Sequence, residues 1–202
     1  MDCRETPSTT SVECLLRKLH SSLATYLIHI VTATPKLTVW RSALLPVLNG
    51  AHTTLPDLLH LRPYVRCLSV TQAHAVLRLL AGVPPLGIEV LRYRGVDRKW
   101  RVCRFCRRQS CVEDEEHVLF HCMEPSIATL RRDTMAKLVE RRPTRAHLQR
   151  RLGLGWRYIG TMLLDQDACG VVADWIIRIF ERCGEVEPLL ITTESMFLAL
   201  SE

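Results

Sequence analysis

Apolar residues recur at helical intervals along nearly the whole chain. Val12, Leu15, Leu16, Leu19, Leu23, Tyr26, Leu27 and Ile30 fall on one face, a stripe that predicts an amphipathic helix. Thr10-Ser11-Val12-Glu13 reads as the capping box that opens it, and Pro35 closes it. A weaker segment from Val39 is interrupted by Pro46 and stops near Asn49-Gly50. Pro56 and Pro63 break the next stretch into short pieces. Ser69-Val70-Thr71-Gln72 is a second capping box, opening a helix through Val76, Leu77 and Leu80 to Gly82.

Pro84-Pro85 predicts a turn, and Leu86 to Arg94 a short helix stopped by Gly95. Helices are expected at about 126–141, 144–152 and 156–165, separated by Pro143 and by Gly153 and Gly155. The clearest stripe follows: Ala168, Val171, Val172, Trp175, Ile176, Ile179, Phe180 and Cys183, with Asp167 as N-cap and Gly184 as stop. An apolar tail from Leu189 to Leu200 is expected to dock on the body. The predicted fold is all-α, a helical domain with a small Cys/His knuckle inserted between helices. Three segments result: N-terminal helical residues 1–50, a knuckle region 51–125 and a C-terminal helical bundle 126–202.

Composition narrows the class. Hydrophobic residues make up 48% of the 202 and aromatics only 6%, a balance that suits helices and is too apolar for a disordered chain. The longest candidate span, Leu23–Ala33, holds His29 and falls well short of the roughly 20 residues a bilayer requires. The polar start, with Asp2, Arg4 and Glu5, does not read as a secretory signal. An intracellular, nuclear location is therefore expected. The nine cysteines are an odd number, which argues against a disulfide framework.

Cysteine placement carries the chemistry. Cys103-Arg-Phe-Cys106 is followed by Cys111, His117, His121 and Cys122. A Cys-x-x-Cys turn can direct two thiolates at one ion, and a later helical turn can add a histidine and a third thiolate, completing the tetrahedral N/S set that Zn²⁺ favours. Cys103 and Cys106 belong to every version, and His117 and Cys122 are the preferred partners. Cys111 could replace either of these, and His121 could replace Cys122. A redox pair would call for a strand before the first cysteine and a βαβ setting, and neither is visible. The acidic run Glu113 to Glu116 reads as the capping, solvated start of the helix that carries His117.

Glu116-His117-Val118-Leu119-Phe120-His121-Cys122 after a Cys-x-x-Cys, preceded by Leu79-Leu80-Ala81-Gly82 and Leu91-Arg92-Tyr93-Arg94, resembles the zinc-binding region of non-LTR retrotransposon reverse transcriptases. The resemblance covers about residues 70–124. It implies Cys103, Cys106, His117 and Cys122 as ligands and an accessory role in nucleic-acid binding. The stretch between Cys106 and His117 is longer than the family usually has, and it contains the additional Cys111. The aspartate doublet of a polymerase palm does not occur, so the expectation is a non-catalytic accessory region.

Charge adds a partner class. The formal net charge is +6, and its placement is uneven. Arg92, Arg94, Arg98, Lys99, Arg101, Arg104, Arg107 and Arg108 crowd around the Cys-x-x-Cys turn, opposed by Asp97. A second group holds Arg141, Arg142, Arg145, His147, Arg150, Arg151 and Arg157. Arginine suits phosphate oxygens, so RNA or DNA is the expected partner, bound by Arg98, Lys99, Arg101, Arg104, Arg107 and Arg108 on a turn held rigid by zinc. Trp100 and Phe105 are expected to pack against the knuckle. A polymerase-bearing protein is a second expected partner, reached through the stripes at 12–30 and 168–183. Neither a membrane nor a small-molecule substrate is expected.

Overall fold

The computed structural model describes residues 9–48 and 62–191, and these are helices and turns with one isolated antiparallel bridge, Val102 to Val112. The fold is all-α. Helix α1 spans Thr9–Ala33, and Pro35 opens a 3-10 turn, Pro35–Leu37. A π-helical turn, Trp40–Leu44, runs into α2, Leu45–Leu48. After α3 (Pro63–Arg66) come α4 (Val70–Leu80) and α5 (Gly87–Tyr93). The knuckle follows, and then α6 (Pro125–Arg141), α7 (Thr144–Leu152), α8 (Trp156–Leu163) and α9 (Cys169–Glu185).

Helix α9 is the centre of the packing. Val171, Val172, Trp175, Ile176, Ile179 and Cys183 are all buried, and the helix lies against α4, α6 and α8. The stripe predicted at 168–183 is therefore core, which leaves it no face for a partner. One buried cluster runs from Val39 through Val76, Cys103, Val118 and Leu138 to Cys183. Described residues of all three segments read from sequence contribute to this core.

Capping is legible at one of the three predicted starts. At α4 the Ser69 hydroxyl accepts from the Gln72 amide at 3.3 Å while the Ser69 amide donates to the Gln72 side chain at 3.0 Å, the predicted box. At α1 the helix already includes Thr9, so Thr10 lies in the first turn and not at its cap; its side chain falls outside the described residues. At α9 the flanking position is Ala168. Asp167 instead binds Arg142 at 2.6 Å, because Asp165 occupies the turn before the helix and accepts the Asp167 amide at 2.9 Å. The predicted stop at Asn49-Gly50 and the tail beyond Ile191 lie outside the described residues.

Two close approaches fix how the helices meet. Helix α8 crosses the Trp40–Leu44 turn at Gly160, where an added Cβ would stand 1.8 Å from the Ala43 carbonyl oxygen. Gly160→Ala is expected to destabilise the fold by about 3 kcal/mol or more, as overpacking against backbone does. A fall in the urea midpoint checks this. Gly82 ends α4 in the left-handed region at φ +67°, with the Lys36 carbonyl against it, so a side chain there is strained twice over.

Glu89 anchors α5, the helix that leads into the knuckle. Its carboxylate accepts from Arg92 at 2.8 and 2.9 Å and from Lys36 at 2.8 Å. The Arg92 hydrogen bonds hold the carboxyl down at about 2, against burial and with help from Lys36. A depressed carboxyl stabilises the fold above its unfolded pKa and loses that contribution as pH falls toward its folded one. With both cations partly exposed, the contribution is of order 1–2 kcal/mol. Glu89→Gln is therefore expected to cost stability at pH 7, with the difference from wild type shrinking below about pH 4.5 and vanishing near pH 2. Urea melts across that range test it.

The α1 stripe faces outward, with Leu15, Leu19 and Tyr26 exposed by 64, 62 and 59%. The helix is attached through another face and through its second half. Ala24 is buried, and Leu27, Ile28 and Val31 are half-buried, against the segment from Pro35 to Leu44.

Candidate metal centre

The Cys-x-x-Cys turn hangs from the Val102–Val112 bridge. The Cys103 amide donates to the Cys111 carbonyl at 2.9 Å and the Glu113 amide to the Arg101 carbonyl at 2.8 Å. The Arg107 amide then closes back on the Cys103 carbonyl at 2.9 Å, and Arg107 takes a left-handed φ of 53°. A non-glycine residue there costs about 1 kcal/mol, and the conformation turns the chain so that both sulfurs face inward.

The second pair of side chains comes from a π-helical turn, His117–His121. In an α-helix, residues five apart point in different directions, since each residue advances about 100°. Here the Cys122 amide bonds the His117 carbonyl at 2.6 Å, an i to i+5 bond that widens the turn and brings His117 and Cys122 to one side. Asp114 caps the start, its carboxylate accepting the His117 amide at 2.9 Å. Arg131 of α6 holds the other end, donating to the Leu119 and Cys122 carbonyls at 3.2 and 2.9 Å. Val118, Leu119 and Phe120 are buried, and the Phe120 ring meets Trp156 edge-on at 4.8 Å. The turn that presents two candidate ligands is therefore a plug in the core.

These elements bring Cys103, Cys106, His117 and Cys122 together, with all four ligand atoms within 4.8 Å of one another. Cys103 Sγ and Cys122 Sγ are 3.9 Å apart, and Cys106 Sγ is 3.4 Å from His117 Nε2. Bond lengths of about 2.3 Å to sulfur and 2.0 Å to nitrogen give tetrahedral edges of about 3.8 and 3.5 Å. The four side chains could hold a metal ion. The other two candidates are elsewhere. His121 is exposed, 3.9 Å from Glu116, and the Cys111 sulfur contacts Ser110 while its carbonyl serves the bridge.

The surroundings push the sulfurs in different directions. The hydrogen bond from Cys103 holds the Cys122 thiol well below its ordinary range despite burial, and His117 acts in the same direction. The same bond and burial push Cys103 up. Burial also raises Cys106.

The acidic run is not simply solvated. Glu113 is wholly buried and clamps Arg104, which is 3% exposed. Glu113 accepts from the Arg104 amide at 2.7 Å, from its guanidinium at 2.8 Å and from the Gly87 amide at 2.7 Å. Arg104 also donates to the Cys183 and Val186 carbonyls at 2.8 Å and to Pro85 at 3.2 Å. One ion pair thus ties the Cys-x-x-Cys turn to α5 and to the end of α9. Sequence reasoning missed it because buried and solvated charges look alike in a run of arginines and glutamates. Asp114 was more accessible: an Asp three residues before His117 is an N-cap spacing.

The basic residues divide accordingly. Arg104 cannot reach a phosphate, since its guanidinium is used up inside the fold. Arg101 is half-buried and donates to the Val96 and Ile88 carbonyls at 2.8 Å, which withdraws it too. Arg98 pairs with Asp114 at 2.9 Å while 63% exposed, and Lys99 lies 3.9 Å from Asp97. Arg107 and Arg108 are exposed on the turn. Phe105 packs on the core as expected, while Trp100 is half-buried beside Lys99. In the second group, Arg145 is buried on Asp165 at 2.7 Å and Arg142 is paired with Asp167, so these hold α7 and the link before it to the turn before α9. No described helix is long and apolar enough to cross a membrane. No known protein family, curated protein or solved structure matches the chain.

Proposed function

We propose that this chain is a zinc-stabilised, non-catalytic module that binds nucleic acid through phosphates, as the zinc-binding region of non-LTR retrotransposon reverse transcriptases does. Support comes chiefly from one juxtaposition. Three sulfurs and an imidazole converge within 4.8 Å, directly behind a turn that displays Arg107 and Arg108. Three thiolates with one histidine is a donor set that favours zinc over harder ions, and four protein ligands leave no open position for catalysis.

Zinc would fix the left-handed turn at Arg107, so the two guanidiniums would meet phosphate with little ordering cost. Arg98 and Lys99, exposed beside them, would extend the surface. RNA and DNA are both accommodated by phosphate contacts alone.

Binding of a fluorescent oligonucleotide, measured against salt, tests this proposal. Affinity should fall steeply with salt and vary little with sequence. Changing Arg107 and Arg108 together to Ala should reduce the log–log salt slope by about 2 while leaving the thermal transition in place. Binding insensitive to salt, or an unchanged slope in the variant, would count against it.

A further inference from the structure

The face that α1 turns outward has a period of its own. Val12, Leu16, Leu19, Leu23, Tyr26 and Ile30 follow one another at alternating intervals of four and three, with Ala33 next in the series. They are 40, 47, 62, 39, 59 and 39% exposed in that order. A repeat of 3.5 residues drifts around a straight helix of 3.6 and stays in register only along a supercoiled partner helix. The part of α1 that meets the body uses other positions, Ala24, Leu27, Ile28 and Val31. The seam is therefore spare after the fold is made.

We infer that α1 pairs with α1 of a second copy of this chain, as a two-fold, antiparallel, two-stranded coiled coil. The seam is self-complementary in that orientation. Placing Leu19 against Leu23 of the second copy also sets Leu16 against Tyr26 and Val12 against Ile30, so every layer from Val12 to Ile30 is apolar on both sides. Charge does not oppose the pairing. Arg17 and Lys18 lie away from the seam. The positions flanking it are Glu13, Leu15, His20, Ser22, Leu27 and His29, among which Glu13 alone carries a formal charge at neutral pH.

Attachment selects the direction. The body grips α1 through its second half, so a parallel pair would press two bodies together at one end, whereas an antiparallel pair sets them at opposite ends. Burying what is exposed of the seam and Leu15 on both copies removes roughly 1,200 Å² from water, the lower edge of the range for specific stable interfaces. The association is therefore reversible, with a concentration-dependent mass.

Sedimentation equilibrium of the full-length chain, from low to high micromolar, reads the result. The wild type should approach twice its monomer mass. Leu16→Asp combined with Leu23→Asp should remain monomeric, with helical circular dichroism and metal content unchanged because both side chains are already exposed. For direction, chains carrying Cys14→Ser with Leu19→Cys are mixed with chains carrying Cys14→Ser with Leu23→Cys and oxidised. Disulfides mapped between 19 and 23 are expected. A wild type that stays monomeric throughout, a dimer that survives the double aspartate variant, or bridges mapped between 19 and 19 would overturn the inference.

Discussion

If the four side chains hold zinc as proposed, chelating it is expected to unfold the knuckle and a large part of the core with it. In many metalloproteins the ligands lie on a surface loop whose loss is local. Here Cys103 and Cys122 are fully buried, and the turn from His117 to Cys122 carries Val118, Leu119 and Phe120 into the main cluster. That turn has a widened, i to i+5 geometry, which is rare and is held by what lies at its ends. Asp114 and Arg131 supply backbone hydrogen bonds there, and the ion would supply the remainder. Structural zinc contributes on the order of 10 kcal/mol at neutral pH, which matches or exceeds the total stability of an ordinary domain. A strong chelator, or Cys122→Ser, should therefore abolish the cooperative thermal transition seen by circular dichroism. An unchanged melting temperature after complete metal removal would mean that the four side chains pack without needing an ion.

The second large effect is expected at Glu113. Glu113→Ala would leave the Arg104 guanidinium buried without its counter-charge, and breaking one side of a buried pair costs about 3–5 kcal/mol. The damage should spread, since Glu113 also receives the Gly87 amide and Arg104 the carbonyls of Cys183 and Val186. Arg104→Met combined with Glu113→Met should recover much of the loss, because matched apolar replacement of a buried pair is often near neutral. Denaturant titrations of the single and double variants form the cycle that checks this. Equal destabilisation by single and double variants would show that packing, not charge compensation, sets the cost.

The pattern of helices was legible because most elements are bounded by residues with local effects. Pro35, Ser69 with Gln72, Gly82 and Gly95 act within one turn of chain, so a one-dimensional reading finds them. The candidate cluster was legible for a similar reason: Cys-x-x-Cys is a local geometry. The convergence of His117 and Cys122, and not of His121 or Cys111, on that turn is not legible, because an α-helix would not bring residues five apart to one side and the π-helical turn that does so leaves no mark in residue type.

The charges were the least legible. Arg104 and Arg107 flank the same Phe105-Cys106 pair, yet one is sealed inside the fold and the other faces water. Their difference depends on where Pro85, Glu113 and Cys183 arrive in space, and no spacing rule encodes that. The α1 stripe was legible as one face of a helix and no further: amphipathicity says that a face has a partner and not which chain provides it.

The central claim is that Cys103, Cys106, His117 and Cys122 hold one zinc ion. Elemental mass spectrometry of the purified chain, with Cys106→Ala as control, tests it most directly. About one zinc per chain, lost in the control, is the predicted result. A folded wild-type chain that carries no zinc, even after refolding with the metal supplied, would contradict it.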